Sequence, residues 1–572
     1  MALILHEAKP RPSYWLSVAN SRITELDTFV QENKNNAEKA EVRRQLEVEL
    51  AHLSRITTEL NMRHNALLPL FCLPAELLCL IFLECSVEDT PHARLRHKAQ
   101  SQSRAASLGW IRITHVCRLW RQTALQCPSL WVEVVCSLPA ATEEILRRST
   151  PVPITISYDF ALYKDSRAET AVALALESAS ARVKAIKIIS ERMELSLAST
   201  TFHPMVTAYT PYPLSHDLHA CKAPSLRSLI LYDCSISWSS PIIRGLSRLE
   251  IVLRAFAVLD ILLPTLDQLL SALKEMQGLQ VFCLSNCLPR SPSSTLFEDV
   301  VVPLPNLILF RIHGKAECCS ALLRRLHIPL TARVQLWFSS TNGDDYVELF
   351  SAVARFVHGQ DGSRALQGLS FETHGSSLHV ECWVPSSSPT LHDMDVEVSE
   401  LFMRGRQHAV GMYFGILYFS AAEITRVLSS MCDRLQVQEV QFLSLGMEGC
   451  LCAQQWQQCL GQLKNVQKLC LSRCLPSSFM DALTLQQTVP LDVTSRHLLF
   501  PKLDTIWFNG IDFGKQIKEA SLLWDYCLGR LKQCAESANR LRCLRFDRCG
   551  LDGSLVALFD GIASVVEWDG SG

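Results

Sequence analysis

Two kinds of apolar pattern divide the chain. Over its last three quarters, apolar residues recur at the first, fourth and sixth positions of short runs, with a small residue at the ninth. CKAPSLRSLILYDC sets the frame with Leu226, Leu229, Leu231 and Cys234. The same frame fits Leu279, Phe282, Leu284 and Cys287, then Val466, Leu469, Leu471 and Cys474, then Leu541, Leu544, Phe546 and Cys549. Versions without the final cysteine start at Val183, Leu246, Leu307, Leu366, Val437 and Leu503. Alternate apolar positions predict a short strand with one face inward. The cysteine falls at the turn beyond it, where a small buried side chain fits. Helical pieces lie between: LDQLLSALKEM (266–276) follows Pro264, and TEEILRRS (142–149) has acids first and arginines last, in accord with the helix dipole. Units this small cannot bury their faces alone, so the pattern predicts β/α repeats stacked into a solenoid over 136–572.

The N-terminal part is patterned differently. Residues 1–36 read as poorly structured. Residues 37–68 predict an amphipathic helix, rich in strong helix formers and without Gly or Pro until its end. Leu46, Leu50, Leu53 and Leu60 follow alternating four- and three-residue steps, with Thr57 between them. That is two good heptads, which leaves three outcomes open: packing on the next segment, a short helix pair, or a coiled coil between chains.

LLPLF (67–71) and LPAELLCLIFLEC (73–85) then give nearly twenty residues with one charge before the last turn. Pro69, Pro74 and Glu76 interrupt the run. A helix from Pro74 to Cys85 reaches about 18 Å at about 1.5 Å per residue, too short for a bilayer core of about 30 Å. Pro74 suits the first helical position. Only Glu76 and Glu84 break the apolar circumference, so this helix must be covered on more than one side. In the next segment, SLGWIRITHVCRLWRQTALQCPSLWVEV (107–134), Ile113, Val116, Cys117, Trp120, Ala124 and Leu125 recur at helical steps up to Pro128.

LPxELLxxIF followed by VCRxWRxxA and PxLW resembles the F-box, and most closely the F-box-like type of mushroom-forming fungi. The matching residues are Leu73, Pro74, Glu76, Leu77, Leu78, Ile81 and Phe82, then Val116, Cys117, Arg118, Trp120, Arg121 and Ala124, then Pro128, Leu130 and Trp131. The resemblance assigns an F-box-like domain to 69–135 and departs from the family in a long polar insert, 86–107. The repeat frame downstream resembles an irregular leucine-rich repeat. Together these imply an α/β protein in which helical segments precede a repeat solenoid. They also imply the substrate-receptor subunit of an SCF-type ubiquitin ligase. Leu73, Pro74, Leu77, Leu78, Ile81, Phe82, Val116, Trp120 and Trp131 would form the F-box core and its face for a Skp-family adaptor, and through that a cullin. The repeats would hold a protein substrate. The alternative is a repeat scaffold, unconnected to ubiquitin transfer, whose helical segment is a cap.

Composition narrows the picture further. A net charge of −2 gives no global pull toward nucleic acid or membrane. The insert's Arg94, Arg96, His97, Lys98 and Arg104 read as a solvated loop in preference to a nucleic-acid site. The 23 cysteines are scattered through apolar segments behind an N-terminus without signal-peptide character. They read as reduced thiols of a cytoplasmic or nuclear protein. The C-x-x-x-C pairs Cys283/Cys287 and Cys470/Cys474 are explained by the repeat frame, with Cys283 and Cys470 at outward strand positions. No metal or cofactor is expected. Catalytic frames such as G-x-S-x-G, the Walker A loop and H-E-x-x-H are absent, so no enzymatic activity is expected.

Overall fold

The computed structural model describes residues 14–32, 36–93, 106–159, 166–189, 212–213, 223–253, 263–289, 291, 301–338, 346–359, 365–374, 377–383, 410–415, 421–447, 451–473, 477–484, 499–515, 522–537 and 541–570. The basic cluster 94–104 and Cys474 lie outside them. The chain divides into two compact units. One is Met1–Thr90 with Leu108–Leu130, and the other is Pro91–Ser107 with Trp131–Gly572. The boundary therefore falls inside the span 69–135 that the sequence assigned to one domain.

The first unit is helical. Helix α1 spans Tyr14–Glu32 and α2 spans Asn36–Ala66. A 3-10 turn at Pro69–Cys72 leads into α3, Ala75–Glu88. A second 3-10 segment, Gly109–His115, precedes α4, Arg118–Leu125. Helix α1 corrects the expectation of a poorly structured N-terminus over 14–32. Its sequence has no Gly or Pro, and Arg22 bridges to Glu49 of α2 at 2.9 Å. Near its start, Trp15 joins Ile56 and Leu60 in a shallow groove of about 500 Å³. The leucines of α2 at 46, 50, 53 and 60 are exposed, and Val42 is its one buried side chain.

The second unit is an α/β structure built on one sheet of fifteen strands. In chain order these are β1 (Ile154–Asp159), β2 (Val183–Ile189), β3 (Ser228–Tyr232), β4 (Arg248–Val252), β5 (Val281–Ser285), β6 (Leu309–Gly314), β7 (Arg333–Phe338), β8 (Gly368–His374), β9 (Ser377–Trp383), β10 (Val410–Gly415), β11 (Phe442–Gly446), β12 (Lys468–Ser472), β13 (Thr505–Asn509), β14 (Leu541–Asp547) and β15 (Ala563–Trp568). Strands β1 to β7 are sequential and parallel neighbours, as are β11 to β15. Longer described helices of this unit are α5 (Thr142–Arg148), which precedes β1, and then α6 (Ser166–Ala179), α7 (Leu266–Lys274), α8 (Ala316–Arg324), α9 (Tyr346–His358), α10 (Ala421–Arg434), α11 (Ala453–Leu460), α12 (Ser477–Thr484) and α13 (Leu523–Ser537). Helices α8 to α13 pack side by side in succession. Thr265 caps α7 in a reciprocal capping box with Gln268.

Each sheet frame works as its pattern dictates. Leu229 and Leu231, Phe282 and Leu284, Leu469 and Leu471, and Leu544 and Phe546 are buried. Phe282 stacks on Phe310 at 5.6 Å and Phe508 on Phe546 at 5.2 Å, so aromatic side chains in register pack across neighbouring strands. One frame is corrected. The strand after α10 buries Leu443 and Leu445, so its unit starts at Val440 and not Val437. Val437 and Val440 are both buried, which makes either start fit the apolar pattern.

The middle of the sheet departs from sequential order. After β7 come β10, β9 and β8, and then β11. Strand β9 runs antiparallel to both neighbours. Only two residues separate β8 from β9, too few for a parallel crossover, so the chain folds back as a meander. Leu378, Val380 and Cys382 of β9 still point into the core.

The turn after the strand has its own chemistry. The residue before each repeat cysteine is left-handed: Asp233 (φ 54°), Asn286 (φ 58°), Arg473 (φ 61°) and Arg548 (φ 55°). Gly510 (φ 64°) holds the same place in the frame that starts at Leu503. The three repeat cysteines among the described residues then donate their thiols to carbonyls. Cys287 reaches Ile251 O on the adjacent strand at 3.4 Å, and Cys549 reaches Phe508 O on its neighbour at 3.3 Å. Cys234 bonds within its own turn, to Tyr232 O at 3.3 Å.

A Cβ at Gly510 would meet nothing within 4 Å, so substitution there isolates the backbone cost. Gly510→Ala should destabilise the second unit by about 1–2 kcal/mol, read as a lower midpoint in urea denaturation.

Candidate functional site

The segment that singles itself out is α3 with its surroundings in the first unit. The chain enters α3 at Pro74, which is extended (φ −63°, ψ 156°) and is the residue before the helix rather than its first residue. The amides of Leu77 and Leu78 donate to its carbonyl, and Glu76 lies in the first turn. The helix runs to Glu88, three residues past the expected end, and its last turns take residues 86–88 from the span read as insert. The Ser86 hydroxyl donates back to Leu83 O at 2.7 Å, and Asp89 closes the helix on Cys85 O.

The two sides of α3 are used differently. Leu78 and Phe82, four apart, are both about 1% exposed and form the inner side. Phe82 packs on Trp120 of α4 with centroids 5.3 Å apart, and Phe71 stacks on the same indole at 6.2 Å. Leu77, Leu80 and Ile81 form the outer side and remain 45%, 58% and 42% exposed. Leu73 is half-buried and Pro74 exposed. Glu84 continues the outer side and Val87 lies beyond it, both exposed.

Residues 107–127 do not form the single helix that their spacing suggests. A 3-10 segment ends at His115, and Cys117 is extended (φ −159°, ψ 172°). Its sulfur accepts the Trp120 amide at 3.4 Å, so Cys117 caps α4 and breaks the run. Val116 consequently turns outward and is exposed, while Ala124 is fully buried and Trp120 half-buried. Leu119 of α4 and Leu67, Leu68 and Leu70 before α3 add exposed apolar surface to the same unit.

Trp131 falls in the other unit, where it is buried with the Arg148 guanidinium 4.5 Å from its ring centroid. The short PxLW spacing carried no information about which unit the tryptophan joins. Leu130, one residue earlier, is buried and belongs to the first unit.

Burial and the adjacent Cys127 thiol push Cys79 up to about 11. In the sheet, Cys283 and Cys470 occupy the outward register positions expected of them, yet both are buried, and burial pushes them to about 11 and about 12. Thiols held this far above neutrality stay protonated and inert. Among the described residues no group of three or more His, Cys, Asp or Glu side chains could hold a metal ion. No helix among them is long and apolar enough to cross a membrane.

The division of α3 into two sides has a measurable consequence. Phe82→Ala should destabilise the first unit by about 3–5 kcal/mol. Ile81→Ala should stay within about 0.5 kcal/mol of the parent. Chemical denaturation followed by far-ultraviolet circular dichroism on both variants checks the contrast.

No protein-family model and no curated protein gives a significant match to this chain.

Proposed function

We propose that the chain is the substrate-receptor subunit of an SCF-type ubiquitin ligase. In this reading α3 docks a Skp-family adaptor, the adaptor links it to a cullin, and the fifteen-stranded unit is an irregular leucine-rich-repeat solenoid that holds a protein substrate. The receptor works in the cytoplasm or nucleus and performs no chemistry itself. It raises the concentration of substrate beside a ubiquitin-loaded enzyme bound elsewhere on the complex.

The observation that carries the reading is the outer side of α3. Leu77, Leu80 and Ile81 lie on the helix whose opposite side is fixed by Leu78 and Phe82. An exposed apolar row on a well-anchored helix is what a docking surface requires. Covering three half-exposed aliphatic side chains yields roughly 2–4 kcal/mol gross, less than the entropy lost on association. A stable complex therefore recruits further apolar positions, and Leu67, Leu70, Val116 and Leu119 are the exposed candidates in this unit. Phe82 and Trp120 support the helix from behind and are positioning residues in this reading.

The test is co-expression with a Skp-family adaptor. The parent chain should purify with it as a one-to-one complex. A Leu77→Lys, Ile81→Lys double variant should lose the adaptor while keeping its circular dichroism, because neither side chain is in the core. A folded, soluble parent chain with no affinity for the adaptor overturns the receptor reading and leaves the exposed row to a scaffold function.

A further inference from the structure

We infer that the outward face of the sheet over β4 to β7, the face opposite the buried strand residues, binds an acidic polypeptide segment carrying an apolar anchor, with Trp337 as the platform and Arg311 and Arg333 as the charge partners. This deepens the proposed function by naming the substrate class, and it rests on the reading that the repeat unit holds substrate.

Parallel register places the outward side chains of this face in lateral rows. Glu250, Cys283, Arg311 and Gln335 are partners along one row. Val252, Ser285, His313 and Trp337 form the next. Arg248, Val281, Leu309 and Arg333 form the row on the other side. Neighbouring members stand about 4.8 Å apart along the sheet. Most of this face is flush: Cys283 and Gln335 are buried, and Ser285 and His313 half-buried. Trp337 stands out at 41% exposed.

The platform is held in place by its neighbours. The His313 ring lies 6.3 Å from the indole, tilted by 55°. His313 is itself fixed by a 3.1 Å hydrogen bond between its Nδ1 and the Ser285 hydroxyl. Burial lowers its pKa, so the imidazole is neutral at physiological pH and adds no charge. Arg311 is oriented from below, its Nε donating to the buried Gln335 Oε1 at 2.7 Å.

Charge decides the occupant. Arg248 is neutralised within the face by Glu250, to which its Nε donates at 2.6 Å. Arg311 and Arg333 enter no ion pair with another described residue, and both are exposed. In the same row Glu250 lies two strands from Arg311 and is bound to Arg248, and on the other side Glu381 on β9 lies two strands from Gln335 with Gly411 between. Burial, then Glu372, raises its pKa, with Arg333 pulling the other way. The patch over β6 and β7 therefore presents an exposed indole with Arg311 one row away and Arg333 two rows away, neither guanidinium in an ion pair with another described residue. Tryptophan and arginine are the residue types that dominate binding energy at interfaces. Guanidinium groups favour carboxylates through paired hydrogen bonds, and a basic segment is repelled. A single indole with two cations in the neighbouring rows, and no further cation in these rows outside an ion pair between described residues, suits a short peptide better than the regular phosphate track of a nucleic acid.

The experiment uses the full chain and fluorescence anisotropy. The probes are a labelled glutamate-rich peptide with one leucine, its lysine counterpart, and a labelled single-stranded DNA oligonucleotide. The glutamate peptide should bind about tenfold more tightly than the lysine peptide and weaken as salt is raised. Arg311→Glu, Arg333→Glu and Trp337→Ala should each reduce its affinity by at least about fivefold, with circular dichroism unchanged. Lys274→Glu on α7 should have no effect. Equal binding of the two peptides, tighter binding of the oligonucleotide, or no loss in the charge-reversal variants overturns the inference. Adaptor co-purification of the same chain keeps the two readings apart. Adaptor binding without a preference for acid overturns the acidic-segment inference alone, and an acid preference without adaptor binding overturns the receptor function alone.

Discussion

Parallel pairing constrains everything in the larger unit. A parallel strand can join its predecessor only after the chain has returned to the starting end of the sheet. Every such unit therefore spends residues on a return path, and nothing requires the paths to match in length. This is why apolar triplets such as Leu229–Leu231 and Phe282–Leu284 repeat faithfully while the spacing between them does not. Among the described strands of this sheet, antiparallel pairing is confined to β8–β9–β10, where only two residues join β8 to β9 and the local order is reversed. The sheet continues through it because the inward alternation of Leu378, Val380 and Cys382 matches that of the parallel strands.

Parallel register also generates the outward face. Residues at equal depth on successive strands line up laterally, so a position that looks isolated in the chain acquires neighbours from units far away in sequence. Ser285 and His313 are 28 residues apart and hydrogen-bonded. Arg311 and Gln335 are 24 apart and hydrogen-bonded. The turn beyond each strand is governed by the same lateral logic. A left-handed residue at Asn286 or Arg548 turns the chain so that the following cysteine thiol reaches a carbonyl of the adjacent strand.

Much of this was legible in the sequence, for a definite reason. Strand positions are fixed by local alternation, and alternation survives irregular spacing, so nine of the ten repeat frames coincide with strands of the sheet. The tenth failed because Val437 and Val440 are equally apolar and equally buried, and pattern alone cannot rank them. The order β10–β9–β8 was hidden because antiparallel and parallel core strands carry the same alternation. The helix Tyr14–Glu32 was missed because its apolar residues are mostly exposed and its contacts with the next helix, Arg22 with Glu49 and Trp15 near Ile56 and Leu60, lie outside any local window. The break at Cys117 was missed because helical spacing runs straight through it, and only the cap made by the sulfur reveals the stop.

The candidate site was legible as a group of residues and illegible in its partition. The apolar circumference of α3 states that two sides need cover, and it says nothing of which cover is internal. That is decided by Trp120, one indole held by its own helix and flanked by Phe71 and Phe82. Once Phe82 is committed to Trp120, helical geometry commits Leu78 with it, four residues earlier on the same side. Leu77 and Ile81, each one residue before a buried neighbour, are rotated by about 100° away from that side. Their exposure thus follows from the anchoring of Phe82 and is no local accident of the surface. A helix anchored in this way presents its outer row at a fixed orientation and pays little conformational entropy when that row is covered.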